Sequence, residues 1–149
     1  MYPEEMVGPM RQELTRVGFR ELRTRQEVDE VLGGAKGTTL VVVNSICGCA
    51  AANARPAVVR ALAEAPPSGR PDTLVTVFAG QDREATDRAR SYFTGYPPSS
   101  PSIALLRDGK LVFMLERCDI EGRQAGAIAQ DLADAFDRFC ATSSTTAKN

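Results

Sequence analysis

The sequence predicts an α/β fold in three α/β/α layers, with a mixed four-stranded sheet and two extra helices at its N-terminal end. Three observations lead there. Thr39 to Asn44 and Thr73 to Ala79 are short β-branched runs, read as strands buried on both faces, and a helical stretch follows each. Ile103 to Leu106 and Leu111 to Leu115 flank Arg107-Asp108-Gly109-Lys110, whose Asp-Gly pair is a strong hairpin signal. Strands joined through a helix run parallel and hairpin strands run antiparallel, so the sheet is mixed.

The elements follow in order. Met6, Met10, Leu14 and Val17 recur at helical spacing between Glu4 and Val17, and Gly18 breaks the pattern. Thr24-Arg25-Gln26-Glu27 reads as a capping box opening a second short helix that ends at Gly33-Gly34. After the first strand come a loop, Ser45 to Cys49, and an Ala-rich helical stretch, Ala50 to Ala65. Pro56 either kinks that helix or sits near its first turn.

Pro66 to Gly69 is a break before the second strand. Asp82 then caps a helix with Ala85, Ala89 and Phe93 inward. Gly95 to Pro101 is another break before the hairpin. A last helix runs from about Gly122 to Phe139, with Ile128, Leu132, Phe136 and Phe139 inward, and the polar tail from 141 to 149 is expected to fray. Neither a repeat nor a dividing linker is visible, so one domain over residues 1–149 is expected. Strand, helix, strand, helix, hairpin, helix is the order of the thioredoxin core, although order alone leaves other α/β arrangements open.

The bulk numbers narrow the function. At 149 residues, with 43% apolar and 25% charged residues, the chain suits one globular core. Eighteen Lys and Arg nearly balance nineteen Asp and Glu, which argues against nucleic-acid or anionic-membrane partners. Leu40 to Val43, the longest strongly apolar run, is too short to span a bilayer, and the acidic start lacks signal-peptide character. A cytoplasmic location is the default expectation. With four cysteines and no histidine, Cys–His and Ser–His–Asp catalysis are excluded, as is any zinc site needing imidazole.

The chemistry concentrates in Asn44-Ser45-Ile46-Cys47-Gly48-Cys49-Ala50-Ala51. Two thiols separated by one glycine sit where a strand ends and a helix begins. The free N–H groups and positive dipole end of a helix favour a thiolate. Gly48 offers freedom to turn the sulfurs toward each other. A disulfide across one residue is tight, and tight disulfides are easily reduced.

Other readings stay open. The thiols could be inert and buried, or serve as a soft-metal carrier. A metal or cluster shared with Cys118 and Cys140 is disfavoured, because a helix of about 18 residues puts those two about 27 Å apart. A three-thiol site with Cys118 survives that test.

Pro97-Pro98-Ser99-Ser100-Pro101 precedes the strand expected beside the first one, with its start facing the thiols. A cis proline there would offer backbone edges to an extended substrate, which makes Ser100 and Pro101 candidate substrate-binding residues. Cys118 should lie about 10 Å from the thiol edge. It is read either as a supplementary thiol or as a half-buried one without a role. Cys140 should lie at the far end, in packing.

At these residues the chain resembles the bacilliredoxin family of thioredoxin-like proteins. The matching segments are Pro9 to Leu14, Gly37 to Pro56, Val75 to Thr86, Tyr92 to Leu106, Glu121-Gly122, Ala135-Phe136-Asp137 and Cys140. The resemblance implies a thiol–disulfide oxidoreductase that removes bacillithiol, or a similar low-molecular-weight thiol, from protein mixed disulfides. It implies Cys47 as the attacking thiolate and Cys49 as the second, resolving or modulating thiol. No bound cofactor is expected, with metal at neither cysteine, and the small thiol would be the co-substrate. Family members often carry histidine where this chain has Cys118. Competing expectations are a disulfide isomerase or general reductase, and, outside enzymes, the soft-metal carrier.

Overall fold

The computed structural model describes residues 1–140. The tail expected to fray lies outside the described residues. In chain order the elements are α1 (Glu4–Thr15), β1 (Arg20–Glu21), α2 (Arg25–Leu32), β2 (Thr38–Asn44), α3 (Arg55–Glu64), β3 (Thr73–Phe78), α4 (Arg83–Arg90), β4 (Ser102–Arg107), β5 (Lys110–Leu115), α5 (Arg117–Ile120) and α6 (Ala125–Phe139). One sheet runs β1-β3-β2-β4-β5. β1 and β2 both pair parallel to β3, β4 is antiparallel to β2, and β5 is antiparallel to β4.

The sheet therefore has five strands where the sequence suggested four. The added one, β1, is the charged pair Arg20-Glu21 in register with Val75 and Thr76 of β3. Pairing comes from its backbone, so no hydrophobic pattern announces it. Its presence also re-assigns α2, which connects β1 to β2 instead of preceding the sheet. Only α1 leads in.

Alternation along the strands builds two cores. Leu40 and Val42 of β2, with Ile103 and Leu105 of β4, face Val58, Leu62, Ile128, Leu132 and Phe136 from α3 and α6. Val41 and Val43, with Val75, Val77, Ala104 and Leu106, face Val28, Leu32, Ala85 and Ala89 from α2 and α4. Every residue of β2 is buried, as expected of a β-branched-rich central strand covered on both faces. The thiol loop leaves from the end of this fully packed central strand.

Local signals hold with some shifts. Thr24 Oγ1 accepts from Glu27 N–H at 3.1 Å and Glu27 Oε1 from Thr24 N–H at 3.1 Å, the reciprocal capping box. Asp108 and Gly109 carry the positive φ angles, 52° and 80°, of a tight hairpin turn. α6 begins at Ala125, three residues later than the expected start at a left-handed Gly122, and a short α5 precedes it that the sequence did not suggest.

The buried face of α1 is Val7, Arg11 and Leu14, while Met6 is exposed. Arg11 is 5% exposed, and its guanidinium lies 5.2 Å from the Phe78 ring centre. It donates to Glu4, Glu21 and Asp82. Carboxylates converging on one buried cation rotate the helix away from the expected methionine stripe. They also explain Asp82, which stands at the cap position of α4 but makes no side-chain cap bond because its carboxylate is turned to Arg11. Among the described residues, no helix is long and apolar enough to cross a membrane.

Candidate functional site

β2 ends at Asn44, and the chain turns at once into a helix whose first bonds run from the Ala50 and Ala51 N–H groups to the Cys47 carbonyl at 3.0 and 3.2 Å. The helix opens through a π-helical stretch, Ala50–Ala54, closed by Arg55 N–H donating to the Ala50 carbonyl, and continues as α3. Pro56 follows just after this π-helical stretch, so its missing N–H falls inside a helix already running, at the point where the wider turn has interrupted the regular α-helical ladder. Gly48 is exposed, its φ is not left-handed, and a Cβ there would meet no atom within 4 Å. This geometry does not itself demand glycine.

Cys47 and Cys49 come together at the helix start, their sulfurs 2.7 Å apart. Cys47 is half-buried and Cys49 buried. Desolvation works against the Cys47 thiolate. The Cys49 thiol, Ser45 Oγ and the N–H groups of Ala50 and Cys49 outweigh it, and the Cys47 pKa is lowered. The Ser45 hydroxyl donates to Cys47 Sγ at 3.3 Å. Cys49 moves the other way, raised first by burial and then by its bond to, and repulsion from, the Cys47 thiolate, with Arg117 opposing. The pair is thus split into a more accessible sulfur favoured as thiolate and a buried thiol that donates a hydrogen bond to it.

Behind the thiols lies Arg55, 2% exposed, which the sequence reading did not single out. Its Nη1 donates to Asn44 Oδ1 at 2.8 Å and to the Ser45 carbonyl at 2.9 Å, and its Nε to Glu13 at 3.0 Å. Asn44 Oδ1 also accepts from Ser45 N–H at 2.9 Å, and Asn44 Nδ2 donates to the Met10 carbonyl. The same Ala-rich stretch also carries Asn53, Arg60 and Glu64, so composition alone does not mark Arg55 as the buried cation.

Ser100-Pro101 is a cis peptide, and β4 begins directly after it, with Ser102 paired to Val43 of β2. The turn is therefore beside the thiol loop. Ser100 lines a cavity of about 340 Å³ together with Ser45, Ile46, Cys47, Arg90 and Arg117, while Pro101 is buried. Arg90 donates to the Ser99 carbonyl and Arg117 to the Ser100 carbonyl, so two arginines that the sequence reading passed over hold this turn.

Cys118 is exposed, not half-buried. Its Sγ lies within 4.8 Å of ligand atoms of Glu116 and Asp119, on the solvent side of α5. Among the described residues no third ligand atom joins Cys47 and Cys49 at that range, so the three-thiol cluster does not form. Cys140 is buried against the α3–α6 core and bonded to Thr38 at the start of β2, the end opposite the thiols. That separates it from any shared cluster.

Fold and thiol pair together define a thioredoxin-fold thiol–disulfide oxidoreductase. Solved structures share the fold. Thioredoxin from Fasciola hepatica superposes with a TM-score of 0.54 over 81% of this chain and 99% of its own, at 21% identity. Oxidised thioredoxin O2 from Arabidopsis thaliana gives 0.55 over 81% and 96%, at 12% identity. Sequence comparison is narrower. Residues 2–140 match the family model described as disulphide isomerase. A bacilliredoxin of Koribacter versatilis is 58% identical over 94% of both chains, and one of Geobacillus kaustophilus 51% identical over 93% of this chain and 94% of its own. The chain belongs to the bacilliredoxin family.

Proposed function

We propose that this protein removes bacillithiol, or a similar low-molecular-weight thiol, from proteins that carry it as a mixed disulfide, with Cys47 attacking and Cys49 following. The observation that carries the reading is the opposed state of the two thiols. Cys47 is the more accessible and is favoured as thiolate, and Cys49 is buried and held protonated.

The Cys47 thiolate attacks the small thiol's sulfur, the substrate disulfide breaks, and the protein leaves as a thiolate that takes a proton from solvent. Cys47 now carries the small thiol in a mixed disulfide and has lost its charge. Cys49 is then freed from both effects that Cys47 exerted, the hydrogen bond and the repulsion, while Arg117 still favours its anion. Attack of the Cys49 thiolate on the Cys47 sulfur releases the small thiol and leaves a Cys47–Cys49 disulfide. Alternatively, a second small thiol attacks the adduct's outer sulfur, leaving as the symmetric small-molecule disulfide and returning the Cys47 thiolate. Backbone of the Ser100-Pro101 turn would receive the extended segment of the modified protein. The reducing cytoplasm is the compartment that suits this cycle.

Intact mass of the reduced protein, and of Cys47→Ser and Cys49→Ser, after mixing with a bacillithiol-modified protein tests this. An adduct on Cys47 that persists in Cys49→Ser and is absent from Cys47→Ser is expected. No adduct in any variant, with glutathione and coenzyme A mixed disulfides also inert, would refute it. The name of the family model favours a second reading, disulfide isomerisation, for which scrambled multi-disulfide substrates would be re-paired by the wild type and not by Cys47→Ser.

A further inference from the structure

The cavity beside Cys47 is walled by two cations, and among the described residues no carboxylate lines it. Arg90 is held there with little compensation. Its ion-pair contact is Asp87 at 4.0 Å, the limit for such a pair, on a side chain 80% exposed. One donation goes to the Ser99 carbonyl at 3.2 Å, and its buried Nε has no hydrogen-bond partner. Burial works against its charged form, with Asp87 the opposing influence. Arg117 donates to the Ser100 carbonyl and pairs with Glu121 on the exposed side of α5, while its charge also faces both thiols. A half-buried cation with a weak partner is a standing electrostatic cost that an incoming anion offsets.

Size bears on what enters. A cavity of about 340 Å³ is at the small end of the range for small-molecule sites. Cys47 lines the same cavity as Arg90 and Arg117, so a small molecule that enters it and presents a disulfide sulfur to Cys47 shares the space with both cations.

We propose that this cavity is an anion-recognition pocket in which Arg90, assisted by Arg117, receives a carboxylate of the low-molecular-weight thiol whose sulfur is presented to Cys47. The inference rests on the thiol-exchange reading above and adds to it a charge selectivity. Anionic small disulfides react with Cys47 faster than neutral ones, and neutral ones faster than cationic ones. The groups facing the pocket that set this order are Arg90, Arg117 and the Cys47 thiolate itself, whose repulsion of anions the two arginines overcome.

The test uses the reduced full chain and three matched aliphatic disulfides: dithiodipropionate (dianionic), bis(2-hydroxyethyl) disulfide (neutral) and cystamine (dicationic). The rate of Cys47 modification is read by quenched-flow mass measurement. Wild type should prefer dithiodipropionate, and Arg90→Gln should lower the dithiodipropionate-to-neutral rate ratio about tenfold. Arg90→Lys, which keeps the charge, should retain most of the ratio, and high salt should erode it in the wild type. An unchanged ratio in Arg90→Gln, or no anionic preference in a wild type that does react with the neutral probe, would overturn the pocket and leave thiol exchange standing. A wild type whose Cys47 reacts with no probe would overturn both.

Discussion

The Arg55 guanidinium donates to the carbonyl of Ser45 at 2.9 Å, two residues before Cys47, while the hydroxyl of the same serine donates to the Cys47 sulfur at 3.3 Å. A cation with no contact to the sulfur therefore fixes the residue that bonds it. Because the guanidinium forks to Asn44 as well, one side chain locks the end of β2, the loop and the helix into a single arrangement.

Arg55→Met should destabilise the fold by about 2–3 kcal/mol, since the Ser45 carbonyl and Asn44 amide lose a charged donor in a buried site. Urea unfolding measures this. Arg55→Lys should fall between, because one ammonium cannot reproduce the fork. A midpoint unchanged in Arg55→Met would show that the fork contributes no stability.

Ser45→Ala removes one donor from the thiolate and leaves the Cys49 thiol and the backbone N–H groups. A hydrogen bond to a charged group is worth about 1.5 kcal/mol, about tenfold in the thiolate-to-thiol ratio, and the more basic thiolate recovers part of this in nucleophilicity, so alkylation of Cys47 at neutral pH should slow by about three- to tenfold. Iodoacetamide kinetics with the fold checked by circular dichroism would measure it. An equal rate would mean that the Cys49 thiol and the helix start sustain the anion without Ser45.

The opposite shifts of the two thiols give a pH prediction with a definite sign. A lowered pKa keeps Cys47 anionic to lower pH than a free cysteine, and a raised one delays Cys49. Alkylation, mapped by peptide mass, should therefore rise with pH at Cys47 at a midpoint below that of an unstructured cysteine peptide. Cys49 should follow at a higher one, the two midpoints belonging to the coupled pair. Denaturant should merge them. Cys49 labelled first would reverse the proposed order of attack.

Gly48→Ala should be accommodated, since a Cβ at that position meets nothing within 4 Å and the backbone there is already helical. Replacing a helical glycine should raise stability of the reduced protein by about 0.5–1 kcal/mol. A loss of stability in thermal unfolding would show that the reduced protein needs the glycine in a conformation other than this one.

Much of this was legible in the sequence because it rests on local chemistry. The β-branched runs of β2 and β3, the Asp108-Gly109 turn and the Thr24 capping box each carry their cause in adjacent residues. Cys47 and Cys49 were legible for the same reason. What stayed hidden depends on partners far along the chain. β1 is two charged residues made into a strand by Val75 and Thr76, and Arg11 is inside only because Glu21 and Asp82 meet it there. Arg90 and Arg117, on separate elements, become one site only when the Ser99-Ser100-Pro101 turn is threaded between them.

The π-helical stretch after the thiols has a consequence for how such a protein can be retuned. One extra residue per turn advances the helix by about 100° of rotation before α3 begins. Ala50–Ala54 is therefore a rotational spacer, which sets the angle of the Cys47–Cys49 head independently of the face on which Val58 and Leu62 seat in the core. The reactive head and the packed stem are two modules on one axle.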